Sequence, residues 1–206
     1  MYALIENNEI KKIYNNPRAL NINDTQYPSN IFSLWSASEK EAIGIYEVVH
    51  NNTNKKDEKY YNNTNQSFAF ADGVVTASFG SATAKAHADT LFTSDDEDNG
   101  LGTEGDVKVE GLKTKLIRTL KSQAASILAQ TDWYIVRKAD ANTAVPSAIT
   151  THRAAVRTKC AAMETAITNA SNTPAIETLY TYVNTADEGD PVVMERPLGE
   201  FPVLGS

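Results

Sequence analysis

The sequence predicts an α+β protein, with a small antiparallel β domain first, a helical hairpin next and an extended C-terminal arm. Three observations support this fold class. Short apolar segments separated by Asn, Asp and Gly occupy the first 92 residues. Two later stretches repeat apolar residues every third or fourth position, as helices with one buried face do. The last sixteen residues combine three prolines with many apolar side chains, which excludes regular helix and central strand.

The β domain is predicted for residues 1–92. Its hairpin turns are marked by residue pairs that tolerate left-handed backbone conformations, namely Asn7-Asn8, Asn23-Asp24 and Asp72-Gly73. The apolar residues expected to anchor this domain are Ile31, Phe32, Leu34 and Trp35. A short helix over residues 39–43 is expected between a Ser36 or Ser38 cap and a left-handed stop at Gly44. The strands predict an antiparallel sheet of roughly four to six members.

The acidic stretch from Thr93 to Asp106 is predicted to be a linker, because it combines acidic residues with glycines and contains almost no bulky side chain. A calcium loop is the alternative. Its candidate ligands alternate along the chain and end at the twelfth position, and they are Asp95, Glu97, Asn99 and Asp106. Gly102 stands where such loops place an apolar residue, and Asp106 replaces the usual Glu. We therefore favour a flexible linker and expect no cofactor.

The helical hairpin is predicted for residues 107–190, with a first helix over residues 107–130. Its apolar stripe is Leu112, Leu116, Leu120, Ala124 and Leu128. The matching stripe of the second helix is Ile149, His152, Val156, Cys160, Met163 and Ile167. A third, short helix is expected to begin at Pro174 and to bury Ile176, Leu179, Tyr180 and Val183. Between the long helices, residues 133–136 form an aromatic and β-branched cluster that should plug the open end of the hairpin.

Four charged residues near this connection are the only constellation with chemical character, and they are Asp132, Arg137, Arg153 and Arg157. Arg153 and Arg157 share one helix face, so either can pair with Asp132 and form a structural clamp that orients Trp133. A catalytic role would need a titrating base nearby, and His152 lies on the apolar stripe. The sequence therefore predicts a protein that is not an enzyme.

Charge and hydropathy narrow the classes of partner. The formal net charge of −7 disfavours nucleic acid, because phosphates require a basic surface. No apolar run approaches the roughly 20 residues of a membrane-spanning helix. The histidines and the single cysteine are scattered, which argues against a metal cluster. Cys160 is expected to be a small buried hydrophobe.

The C-terminal arm, residues 191–206, is expected to dock on a neighbouring chain. It is too apolar to remain exposed and cannot form regular structure. The predicted contact residues are Met194, Leu198, Phe201 and Leu204.

One set of residues in the C-terminal half resembles a known group of proteins. It comprises Leu128, Thr131-Asp132-Trp133, Val136-Arg137-Lys138, Val145-Pro146, Arg153 and Arg157. This order is similar to the C-terminal module of tail-associated proteins of tailed bacteriophages, which often follows a β-rich start. The resemblance implies a structural component of the virion, acting through contacts with other phage structural proteins and with copies of itself. The alternative that it implies is a tail or tail-fibre assembly chaperone, which is absent from the mature particle.

Overall fold

A computed structural model describes residues 1–205 and shows an α+β protein with two compact units, Met1–Thr83 and Ala84–Ser206. The first unit is dominated by strands and the second by helices. The division falls between residues 83 and 84, and not at the predicted linker. The reason is that the stretch after residue 84 is tied to the second unit by hydrogen bonds from Leu112 N to Ala86 O (2.9 Å) and from Lys113 N to His87 O (3.1 Å).

The first unit contains ten elements and part of an eleventh. They are β1 (Tyr2–Glu6), β2 (Glu9–Tyr14), β3 (Leu20–Ile22), β4 (Thr25–Tyr27), α1 (Ile31–Leu34), α2 (Ala37–Glu41), β5 (Ile45–Asn51), β6 (Tyr61–Asn62), β7 (Gln66–Ala71), β8 (Val74–Phe79) and β9 (Thr83–Ala84), which spans the division. Five of these strands form a sheet in the order β2-β1-β5-β8-β7. The predicted antiparallel character holds for the β1–β2, β1–β5 and β7–β8 pairs, whereas the β5–β8 pair is parallel. The hairpin β7–β8 reverses the chain and returns β8 in the direction of β5.

All three predicted turns are confirmed. The φ angles of Asn7, Asn23 and Asp72 are 52°, 49° and 51°, and each turn joins two antiparallel strands. The short helix α2 begins at a capping box in which the Ser36 hydroxyl accepts from the Glu39 amide and Glu39 accepts from the Ser36 amide. Gly44 follows with a φ of 81°. A Cβ there would lie 2.6 Å from the carbonyl oxygen of Ile5, so both backbone angle and space require glycine.

Both faces of the five-stranded sheet are covered. On one face Leu4 and Ile45 pack with Ile31 and Phe32 of α1 and with the β3–β4 hairpin. On the other face the buried residues are Ala3, Ile5, Val48, Val75 and Ala77, joined by side chains from both edge strands. The sheet must curl for both edges to reach one cluster. Leu34 was expected in the core, but it is 73% exposed because α1 ends there and turns it outward.

The second unit contains β10 (Thr90–Leu91), α3 (Ser94–Asp98), β11 (Val107–Val109), α4 (Leu112–Ala129), α5 (Asp132–Ala141), α6 (Ser147–Asn169), α7 (Thr173–Tyr180), β12 (Val183–Asn184) and β13 (Met194–Glu195). The first long helix starts at residue 112 and not at 107, because residues 107–109 pair with β10. The third helix begins at Thr173 and is capped by Asn172. Pro174 is therefore the second residue of this helix, whereas the sequence predicted it to be the first. Val183 lies in a strand and not on the helical stripe.

The predicted stripes of α4 and α6 form the core of the second unit. Buried members are Leu112, Leu116, Leu120, Ala124, Ile149, His152, Val156, Met163 and Ile167. Ile176 of α7 and Leu198 of the C-terminal segment are also buried. Cys160 is only partly buried, and burial raises the pKa of its thiol. Of the helices within residues 1–205, none combines the length and apolar character needed to cross a membrane.

Candidate functional site

Of the two arginines predicted as partners of Asp132, Arg153 forms the ion pair, at the junction of α4, α5 and α6. The Arg153 guanidinium donates from Nη2 to Asp132 Oδ1 at 2.8 Å. Its Nη1 donates to the carbonyl of Leu128 and to the Thr131 hydroxyl, each at 2.7 Å. The side chain of Arg153 is 9% exposed and that of Asp132 is 56% exposed. One buried guanidinium therefore holds the last turn of α4, the connecting residue and the first residue of α5 together.

The other members of the predicted clamp lie apart from this pair. Arg157 is exposed one turn further along α6, and none of residues 1–205 forms an ion pair with it. Arg137 lies over the Trp133 ring at 4.8 Å and near the Tyr134 ring at 5.5 Å. Trp133 is thus oriented by Arg137 and by its stack on Tyr134, and not by Arg153 or Arg157. The expected four-residue clamp is in fact two separate arrangements.

The aromatic and β-branched cluster does not plug the hairpin. Residues 132–141 form helix α5, and no side chain of this helix is buried. Trp133, Ile135 and Val136 are 51%, 43% and 65% exposed. The prediction was wrong because the buried stripes of α4 and α6 pack on each other, and this segment forms a separate helix with no buried residue.

The acidic stretch contains a short helix, and its candidate calcium ligands do not converge on one point. Residues 94–98 form helix α3 behind a capping box in which Thr93 and Asp96 exchange hydrogen bonds. Asp95 and Glu97 are two positions apart, so on a helix they point to opposite sides and cannot converge on one ion. Asp96 instead receives Lys108 Nζ at 2.6 Å. Within residues 1–205 no group of three or more His, Cys, Asp or Glu side chains could hold a metal ion.

Asp89 has a role that the sequence did not reveal. The N-cap residue of helix α4 is Gly111, which has no side chain to accept from the free amides. Asp89 Oδ1 accepts from the Gly111 amide at 2.6 Å, and Oδ2 accepts from the Thr114 hydroxyl at 2.7 Å. These two hydrogen bonds, first that from Thr114, lower the pKa of Asp89. No local signal marks this contact, because 22 residues separate cap and helix start.

The C-terminal segment is divided between its own unit and the surface. Leu198 is 4% exposed, and its amide donates to the Leu179 carbonyl at 3.0 Å. Phe201 is partly buried. The expectation that these residues insert into another chain is therefore wrong for Leu198, which completes the core beside α7. Met194 and Leu204 remain 53% and 46% exposed, and their contact with a neighbouring chain stays a prediction.

An anchor of polar and aromatic side chains holds this segment beside Leu198. Arg196 donates to both Glu200 oxygens, at 2.7 and 2.8 Å. Its guanidinium also lies 5.6 Å from the Tyr180 ring and 5.4 Å from the Tyr182 ring. The Tyr182 hydroxyl donates to Glu200, and this bond raises the pKa of Tyr182. The anchor fixes residues 196–200 and leaves the β12–β13 hairpin before them uncovered.

The comparisons with known proteins add no identity to this description. Neither the protein-family models, nor the curated proteins, nor the solved structures contain a significant match to the chain.

Proposed function

We propose that the chain is a structural component of a tailed-bacteriophage particle and acts through protein–protein contacts. Its place is in the tail, the baseplate, a fibre adaptor or a capsid-bound layer. The support begins with the residues that carry the sequence resemblance. In the fold most of them fall into two groups with different surroundings.

The first group builds the junction of three helices. Thr131 is 4% exposed, and Arg153 is 7% exposed, and both take part in the hydrogen bonds around the Leu128 carbonyl. Such residues are explained by the fold alone. Asp132 adds the charge that Arg153 needs when it is taken out of water.

The second group has no such explanation, and it carries the proposal. Trp133 and Val136 are three positions apart on α5 and more than half exposed. Arg137 stacks over Trp133 on the same face. Tryptophan and arginine are among the residues most enriched in the centres of protein–protein interfaces. A partner that covers this face of α5 gives these residues a function that the isolated chain does not.

The test is peptide mass analysis of gradient-purified particles made by a phage whose own copy of the gene is replaced by tagged variants. The wild-type chain should be present in fixed proportion to the major tail proteins. The double variant W133A/V136A should be depleted from particles, because it removes the exposed apolar face without touching the core. Leu34→Ala, which alters a side chain that is 73% exposed in the first unit, is the matched control and should be incorporated normally.

A chain that is abundant in infected cells but missing from particles would instead establish the assembly-chaperone alternative. Incorporation of W133A/V136A at the wild-type level would show that the α5 face is not the contact, and the particle role would then need another surface.

A further inference from the structure

Three tight turns of the first unit surround one cavity. It has a volume of about 490 Å³ and lies between the β1–β2 turn, the β3–β4 turn and the turn that leads from α2 into β5. The central residues of the two hairpin turns are Asn7-Asn8 and Asn23-Asp24, and all four have positive φ. The strand residues on either side of each turn are paired with each other, so these are two-residue turns with a defined backbone geometry. The walls of the cavity are therefore fixed by the hairpins.

The floor of the cavity is also fixed. Ile5 and Ile22 line it, and they are 9% and 6% exposed. The Ile5 amide donates to the Gly44 carbonyl at 2.8 Å, which holds the α2–β5 turn against β1. Tyr27 lines the cavity too, and its ring makes a T-shaped contact with Trp35, with 5.8 Å between the ring centroids. Preformed concave sites of roughly 300–1,000 Å³ with a few polar groups are typical of small-molecule binding.

Four polar side chains that line the cavity form no hydrogen bond with any of residues 1–205. They are those of Glu6, Asn7, Asn23 and Thr25. Lys11 does not neutralise Glu6, because its ion pair is with Glu9, which raises the pKa of Lys11 more than Glu6 does. The four side chains are therefore available to a ligand.

Comparable side chains in another loop of the same unit bind the backbone instead. Asn63 accepts from the Lys56 amide and donates to the Lys56 carbonyl, each at 2.9 Å. The Thr64 hydroxyl accepts from the Gly80 amide at 2.7 Å. The fold alone explains these amide and hydroxyl groups, because they hold a long loop in place. It gives no such explanation for the amide and hydroxyl groups around the cavity.

The chemistry of the lining selects a neutral ligand with several hydroxyl groups. Of residues 1–205, no Lys, Arg or His lines the cavity, so a phosphate or carboxylate ligand would lack a cationic partner. Glu6 is the single carboxylate of the lining, whereas calcium takes six to eight oxygen ligands within about 2.6 Å. Amide and hydroxyl side chains both donate and accept hydrogen bonds, as the hydroxyl groups of a sugar do. The Tyr27 ring adds an apolar surface that suits the C–H face of a sugar ring.

We infer that this cavity is a carbohydrate-binding site that takes one sugar ring. The ring hydroxyls exchange hydrogen bonds with the polar side chains of the two hairpin turns, and the C–H face of the ring packs on Tyr27. Glu6 accepts from a hydroxyl group at the end of β1. This inference goes beyond the proposed particle role and does not depend on it, because the site lies in the first unit and α5 lies in the second.

The test follows the backbone amide signals of the full chain by NMR during titration with D-glucose, D-galactose, D-mannose and N-acetyl-D-glucosamine. At least one of these sugars should shift the amide signals of residues 6–7, 23–25 and 44 in a saturable way. The expected Kd is about 1–10 mM, the weak affinity of a ligand with so few atoms. Calcium chloride, spermidine and inorganic phosphate should leave the same signals unchanged.

Glycine substitutions in the turns provide matched pairs of variants. Asn7→Gly and Asn23→Gly each remove an amide side chain that lines the cavity, and glycine tolerates the positive φ. Each should weaken binding by about tenfold or more. Asn8→Gly and Asp24→Gly change the other residue of the same turns, which is exposed and does not line the cavity. Both controls should bind sugar like the wild type.

Thr25→Val provides a test that leaves both turns intact. It replaces the exposed hydroxyl by a methyl group of similar size, so it should weaken binding even if a glycine variant fails to fold. Sugars that shift none of the cavity amides, or equal losses of binding in Asn7→Gly and Asn8→Gly, would overturn the inference. Shifts of the same amides by spermidine or calcium in place of the sugars would also overturn it and indicate a cation site. None of these outcomes affects the particle-composition test of the proposed function.

Discussion

The two units are specified by different kinds of information in the sequence. In the first unit each predicted hairpin turn is a neighbouring pair of residues with positive φ, as at Asn7-Asn8 and Asp72-Gly73. In the second unit the decisive contacts join residues far apart in sequence. Asp89 accepts from the amide of Gly111, the N-cap of α4, 22 residues later, and the Leu198 amide donates to Leu179.

This difference explains why two segments look like a linker and a free arm in the sequence, although both make specific contacts in the fold. Composition describes a segment by itself, and by that measure residues 93–106 are a linker and residues 191–206 an arm. The structure that each segment adopts depends on its contacts with other segments of the chain. In the acidic stretch Asp96 forms an ion pair with Lys108. In the terminal segment Leu198 is buried beside α7.

The largest effect should come from the C-terminal segment. Leu198→Ala should destabilise the second unit by about 2–4 kcal/mol, because it empties a buried site. Leu204→Ala, at a site 46% exposed, is the matched control and should change the free energy of unfolding by less than about 0.5 kcal/mol. Urea unfolding followed by circular dichroism measures both. Equal effects would mean that the segment docks elsewhere.

Substitutions at the junction of α4, α5 and α6 should have the next largest effect on stability. Arg153→Met keeps most of the buried side-chain volume but removes the donors to Leu128, Thr131 and Asp132. We expect a loss of about 2 kcal/mol. Asp132→Ala should cost only about 1 kcal/mol, since its carboxylate is half exposed and screened. If Asp132→Ala costs as much as Arg153→Met, the carboxylate and not the two other acceptors dominates the junction.

Substituting a turn glycine should destabilise the protein less than the changes above, and it should do so by the same amount in either unit. Gly73 and Gly105 have φ of 75° and 85°, and a Cβ on either would meet no atom within 4 Å. Substitution by Ala should therefore cost only the backbone term, about 1 kcal/mol at each position. Thermal unfolding of the two variants makes the comparison. A cost at Gly105 well above that at Gly73 would indicate that the second-unit turn depends on its surroundings.

The smallest expected effect is the pH dependence due to Asp89. Its pKa is lowered in the folded chain, so its contribution to stability is present above the ordinary carboxyl pKa and is lost as the pH falls through the lowered value. Asp89→Asn should lower the melting temperature at neutral pH and reduce the loss of stability on acidification. Melting curves from pH 7 down to about pH 3 test this, and parallel curves for both proteins would contradict it.

The sequence therefore predicts the fold class, the three turns, both long stripes and an ion pair of Asp132 with Arg153 or Arg157, because each depends on residue types at short or helical spacing. Prediction from sequence fails where the structure of a segment depends on which other segment it pairs or packs with. Residues 107–109 have helical neighbours yet pair with β10. Trp133 is aromatic, yet it lies on a surface helix and is 51% exposed. The Asp89 cap could be sought only by noticing that Gly111 leaves α4 without a capping side chain.

Native-state hydrogen exchange at the Leu198 amide tests the central claim most directly. The claim is that the second unit is completed by contacts between distant segments, and this amide donates to Leu179 from the end of an apparently free arm. The account predicts that the Leu198 amide exchanges as slowly as that of Ile176 in the core of α7, through unfolding of the whole unit. Exchange as fast as that of Val192, a residue that is 70% exposed, would contradict it.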